Sequence, residues 1–300
     1  MDQIEFFTAS RIIVVAGKGG VGKTTVSAGL AMAAAQAGLR VLFIELDDKP
    51  SAEKFLGSST SWGYEPTKIC VPSGTGHISA RRITATKALT DYLDTRPLAK
   101  FSRKLITDGI VELVATAAPG IDDLLVIGKI KALEGERVAD LIIVDGPPAG
   151  QAISLLMSAR ALNNSIGGGP IHQQSAEVLE LLGDRARCQV MLVTLAEATP
   201  VSEMIDTAFA LEDEIGVHLA PLVINAVEPV SALEVPESLN LASGLARAAH
   251  FQNTRTAQQS QEIARLKDRL AIPTLELPFL TTVDSVAVAA AIRNQIELLP

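Results

Sequence analysis

The sequence is short of cysteine, of positive charge and of long apolar runs. Its two cysteines, Cys70 and Cys188, lie far apart and form no C-x-x-C, which argues against a disulfide framework and against a thiolate zinc site. A reducing cytoplasm fits that usage. Only 26 lysines and arginines stand against 34 acidic residues, a formal charge of −8, so no long-range attraction draws the chain to nucleic acid or anionic lipid. No run of 18 uninterrupted apolar residues occurs, and MDQIEFFTAS at the start has no basic stretch leading into an apolar one. The expectation is an unexported protein that does not span a membrane, with no nucleic-acid partner and no zinc.

Almost half of the 300 residues are hydrophobic, enough to bury a large core. Six runs apolar on both faces read as buried parallel strands: RIIVVAG (11–17), VLFIELD (41–47), DLIIVDG (140–146), QVMLVTL (189–195), PLVINAV (221–227) and PTLELPF (273–279). Helical periodicity runs from Thr24 to Ala37, from Val201 to Ile215 and from Gln258 to Leu270. This alternation predicts an α/β fold, a doubly wound, mostly parallel sheet flanked by helices. Two regions break it. Residues 83–136 read as consecutive helices, and 151–186 as two more around the turn cluster IGGGP (166–170). Together they predict a helical subdomain inserted into a single domain spanning 1–300. Apolar residues at helical spacing within it, Leu124, Leu125, Ile127 and Ile130 with those of 106–113, read as core or as the lining of a hydrophobic groove.

Between the first strand and the first helix stands AGKGGVGKTT, Ala16 to Thr25, which satisfies G-x4-G-K-S/T at Gly17, Gly22, Lys23 and Thr24. Glycines let the backbone wrap a phosphate with its N–H groups, at a helix N-terminus whose dipole favours the anion. Phosphate contacts are expected over Gly17, Gly19, Gly20, Val21, Gly22, Lys23, Thr24 and Thr25. Lys23 reaches the β and γ phosphates, and the Thr24 hydroxyl reaches Mg²⁺. Asp145, closing DLIIVD, is placed to hold that metal through water, and Gly150 in GPPAG to offer an N–H to the γ-phosphate. Asp47, at the end of VLFIELD, is the candidate for orienting or deprotonating the attacking water, with Asp48 beside it as the alternative.

With its extra lysine, Lys18, KGGVGKTT resembles the deviant Walker A motif of the ATPase group containing MinD, ParA, the nitrogenase iron protein and ArsA. Within that group the chain most resembles the ArsA/Get family of arsenite-pump and tail-anchored-protein-targeting ATPases. PGIDDLL (119–125) is similar to that family's PGID helix start, and DGPPAGQ (145–151) resembles its DTAPTGH. VTLAEATPVSEMIDT (193–207) resembles its strand-to-helix stretch, and VIN (223–225) its adenine-site asparagine. The resemblance implies a P-loop ATPase using ATP and Mg²⁺, in which Asn225 reads the adenine edge and Pro278 walls the base. It also implies that Lys18 crosses a dimer interface to the partner's nucleotide, as an arginine finger does. The partner is then a second copy or a similar chain, and the ATP-switched dimer handles a protein or anion client, or a membrane partner.

The chain also departs from the family at several points. One P-loop stands where ArsA resembles two fused copies, and two scattered cysteines offer no cluster of the kind arsenite requires. AVEPVSALEVPES (226–238) has no cysteine where targeting members carry C-x-x-C for a shared zinc, and Gln151 replaces the family's His. The alternatives are an arsenite-pump catalytic subunit, a ParA- or MinD-type positioning ATPase and an iron–sulfur reductase. Positioning ATPases need a basic face, whereas the last helix, VDSVAVAAAIRNQIELL, holds one arginine and two acids.

Overall fold

The computed structural model describes residues 1–46, 52–94, 120–229, 244–282 and 284–300. Strands β1 (Ile12–Gly17), β2 (Arg40–Glu45), β3 (Thr67–Ile69), β4 (His77–Arg82), β5 (Leu141–Pro148), β6 (Cys188–Leu195), β7 (His218–Leu219), β8 (Leu222–Val227) and β9 (Thr274–Pro278) form one sheet. Its order is β3-β4-β2-β5-β1-β6-β8-β9, with the short β7 paired to β6, and every pairing is parallel except β3 with β4. All six apolar runs of the sequence are strands.

Side chains alternate across a strand, and here both sides are apolar. Ile12, Val14, Leu42, Ile44, Ile142 and Val144 enter one core. Ile13, Val15, Val41, Phe43, Leu141 and Ile143 enter the other. The second core is closed by α1 (Gln3–Thr8), α2 (Lys23–Gln36), the short α3 (Ala52–Phe55) and the C-terminal α10 (Ser285–Glu297). Helix α2 lies between sheet and α10 and is buried on nearly all sides, which its small residues permit. A side chain at Gly29 would start 2.3 Å from Val288 Cγ1 of α10, so glycine there sets how closely the two helices approach.

The first core is closed by α4 (Ala85–Asp94), α5 (Ile121–Gly135), α6 (Ala149–Ser165), α7 (Pro170–Gly183) and α8 (Ala198–Phe209), joined by Leu266 of α9 (Gly244–Arg269). Helices α4 to α7 are the described parts of the two regions that interrupt the strand–helix alternation. Leu124, Leu125, Ile127 and Ile130 are buried in the core they share with the sheet, while the apolar residues of 106–113 lie outside the described residues. Helix α8 continues as a π-helical turn, Ala210–Ile215, and stops at Gly216 in the left-handed conformation, φ 78°. Among the described residues no helix is long and apolar enough to cross a membrane.

Candidate active site

Strand β1 runs into the glycine loop, and α2 starts at Lys23. Gly17 lies flat against β6, where a Cβ would fall 2.2 Å from the Val193 carbonyl oxygen. Gly22 takes φ 91° at the N-cap of α2, and a Cβ there would fall 2.3 Å from Asn225 Nδ2. The result is a helix start with neither a side-chain cap nor an acidic residue in its first turn. Its N–H groups and positive dipole end are left for an anion. Val21 is buried, Gly19 and Gly20 are exposed, and Thr25 is half-buried in the first turn.

Asp145 lies within β5, three residues before its end and beside this helix start, in register with Glu45 of β2, and is only 7% exposed. It accepts hydrogen bonds from Thr24 Oγ1 at 2.7 Å and Ser27 Oγ at 3.0 Å. Burial pushes its carboxyl up to about 6, and the Glu45 charge adds to the rise. The two hydroxyls and the Lys23 ammonium pull the other way. Lys23 Nζ donates to the Lys18 carbonyl at 3.1 Å, and burial holds its pKa below the usual lysine value in spite of the Asp145 charge. An anion at the helix start and a cation between Thr24 and Asp145 would relieve both groups, so the residues present fit a phosphate chain with its metal.

The buried Asp145 carboxyl carries a stability consequence. An acid whose pKa rises on folding, here from 3.8 to about 6, binds protons more tightly in the native state. Native stability therefore falls as pH climbs through that window and is fully reduced above it. At 1.36 kcal/mol per pKa unit the cost reaches about 3 kcal/mol at most. Asp145→Asn should therefore stabilise the nucleotide-free protein by about 1–3 kcal/mol at pH 8 and by about half as much at pH 5. Urea unfolding at the two pH values checks it, and equal midpoints for variant and wild type at pH 8 would contradict it.

Other expected residues divide. Lys18 points away from the loop interior, its Nζ 2.5 Å from Glu203 Oε1 on α8, with 38% of the side chain exposed. Asn225 Nδ2 donates to the Val21 carbonyl at 2.9 Å, bracing the loop from behind. Gly150 is exposed in the first turn of α6, and Pro278 is exposed at the end of β9. Next to Pro278, Phe279 lines a cavity of about 680 Å³ with Leu195, Glu197, Ala226, Phe251 and Arg255, at the carboxyl ends of β6 and β8. Asp47 and Asp48 lie outside the described residues, yet both ends of their stretch are tied. Buried Glu45 accepts from the Ala52 N–H at 3.2 Å and from Arg82 Nη2 at 2.7 Å, and Arg82 also reaches Glu53 at 3.2 Å.

Three residues of this site were not among those expected. Ser27 is three positions after Thr24, hence on the same helix face, a spacing signal that was available. Glu45 and Glu203 gave no such signal, because their partners are distant in sequence. Cys188 is buried with its thiol pushed up to about 12, and Cys70 is exposed. Among the described residues no group of three or more His, Cys, Asp or Glu converges on a point.

A loop of this kind, set between a central strand of a parallel sheet and the helix behind it, is what P-loop nucleoside triphosphatases use to grip phosphate, and this chain is one of them. Known proteins narrow the class. The family described as anion-transporting ATPase, of the ArsA type, matches residues 10–168, and the chain belongs to that family and is an ATPase. ATPase BagA of Mycobacterium tuberculosis is 33% identical over 297 residues, covering 89% of this chain and 87% of that one. A putative arsenical pump-driving ATPase of Halobacterium salinarum is 25% identical over 90% of this chain, which spans 41% of its length. ATPase ASNA1 homolog 1 of Paramecium tetraurelia is 33% identical over 144 residues, 48% of this chain and 42% of that one.

Proposed function

We propose that the chain is a Mg²⁺-dependent ATPase that ATP joins to a second copy, or to a similar chain, in a dimer whose opening and closing drives a client through its cycle. The observation that carries the reading is the division of labour between two lysines of one loop. Lys23 is drawn inward, its ammonium on the Lys18 carbonyl, whereas Lys18 is turned outward and partly exposed. A lysine turned out of its own loop is suited to reach another subunit's nucleotide, as the family resemblance implies.

In this reading the N–H groups from Gly17 to Thr25 wrap the phosphates, and Lys23 places its charge on the β and γ groups. Thr24, and Asp145 through water, would hold Mg²⁺, which would supply neutralisation of the charge that develops on the phosphates. Asp47 orients or deprotonates water, Gly150 offers its N–H to the γ-phosphate, and Lys18 of the partner adds charge from the far side. Asn225 keeps its carboxamide oxygen for the base while its nitrogen holds Val21, with Pro278 walling the base. The client is a protein or an anion. One buried thiol and one exposed one do not favour arsenite, a soft centre wanting about three thiolates.

Asp47→Asn separates binding from turnover. Affinity for ATP should stay within about threefold of wild type, while hydrolysis slows by about 10²–10⁴, the range for a lost general base. With ATP and Mg²⁺ this variant should accumulate as a dimer in native mass spectrometry. A wild-type rate in Asp47→Asn together with loss in Asp48→Asn moves the role to Asp48, and a protein that stays monomeric at saturating ATP would overturn the dimer reading.

A further inference from the structure

The ion pair between Lys18 and Glu203 ties the glycine loop to a helix of the opposite core. Glu203 sits in the middle of α8, whose Val201, Met204, Ile205 and Ala208 are buried in the first core, so the helix holds its position. The loop side is built differently. Gly17 is pinned to β6, while Gly19 and Gly20, following Lys18, stand in open space where even an added Cβ would touch nothing within 4 Å. Lys18 is thus an arm between a pinned residue and two uncrowded glycines, held by the Glu203 carboxylate. The cleft beneath the pair, between Pro200, Met204 and Ala149, holds about 10 Å³, room for one water at most. The pair therefore closes on itself and encloses no ligand. A second bond links it to the phosphate site, because the carbonyl of Lys18 is the acceptor for Lys23 Nζ.

We propose that Glu203 is a resting-state latch, which holds Lys18 on its own subunit until nucleotide is bound. An incoming triphosphate draws Lys23 off the Lys18 carbonyl and loosens the backbone of the arm. The partner's nucleotide then competes with Glu203 for the Lys18 ammonium. This rests on the cross-subunit role of Lys18 proposed above and adds the residue that opposes it. Both side chains are partly exposed, 38% and 44%, and an ion pair of that kind contributes up to about 1 kcal/mol, about fivefold per subunit. Two latches per dimer multiply to about 25-fold. That biases the resting protein toward monomer, yet yields to a polyphosphate.

The test has two arms. In the nucleotide-free protein, Glu203→Gln should raise the rate at which an N-hydroxysuccinimide ester acylates Lys18 by about two- to fivefold, read by peptide mass spectrometry, with exposed Lys68 as the unchanged reference. With a non-hydrolysable ATP analogue, the dimer dissociation constant of Glu203→Gln should fall by about 4- to 25-fold, with Glu203→Asp in between. The excess over wild type should shrink toward unity at 1 M salt, where the pair is screened. Unchanged Lys18 acylation overturns the latch, as does faster acylation with unaltered or weaker dimerisation. Failure of the underlying reading appears elsewhere, in a Lys18→Ala protein that dimerises and hydrolyses ATP like wild type.

Discussion

Lys23→Ala should bind ATP about a thousandfold more weakly and lose hydrolysis with it. Its ammonium is half-buried, its charge already disfavoured by desolvation, and its bond in this structure is to the carbonyl of Lys18. A phosphate oxygen is a far better partner than a neutral carbonyl. Two unit charges about 4 Å apart at an effective dielectric constant of 20 attract by about 4 kcal/mol, so removing the lysine costs about a thousandfold in affinity. The fold should tolerate the change, since the side chain lies at the loop mouth and outside both apolar cores. Isothermal titration calorimetry reads the affinity, and a thermal midpoint equal to or above wild type shows that structure is kept. Near-wild-type affinity would contradict the assignment of the loop.

The glycine loop was legible because its signal is contiguous. Nine residues dictate a backbone shape, and the structure shows why two of them are glycine: the Val193 carbonyl lies against Gly17, and Gly22 combines positive φ with the Asn225 amide. The strands were legible for a similar reason, as runs such as DLIIVDG must be buried on both faces. Strands β3 and β4 were missed because TKI is too short to show a pattern and HISARR ends in two arginines. One of these, Arg82, is spent on Glu45 and Glu53. The first half of α9 was missed because GLARAAHFQNTRTA buries little and leaves Leu245 and Phe251 exposed.

Partners far apart in sequence account for the rest. Asn225 was expected to read a base, and spacing could not show that its amide nitrogen braces Val21 from 204 residues away. Glu203 is an ordinary acid on an amphipathic helix until the fold sets it against Lys18, 185 positions earlier. The roles of Lys18 and Asn225 follow from family resemblance, whereas their partners, Glu203 and the Val21 carbonyl, follow from the fold.

Lys18 decides whether one subunit completes the other's active site. Lys18→Ala and Asp47→Asn proteins should each be nearly inactive alone, because every site in either dimer lacks one group. Mixed under conditions of subunit exchange, they form a dimer in which the Lys18→Ala chain keeps its own Asp47 and receives Lys18 from its partner. That site is complete, while the other lacks both groups. In an equal mixture half of the dimers are mixed and one site in two of those works, so the rate should recover to about a quarter of wild type. A lysine that served its own nucleotide would leave each site of the mixed dimer short of one group. The decisive measurement is therefore the ATPase rate of the mixture, with exchange verified by native mass spectrometry: recovery to about a quarter is the predicted result, and no recovery would contradict the cross-subunit role.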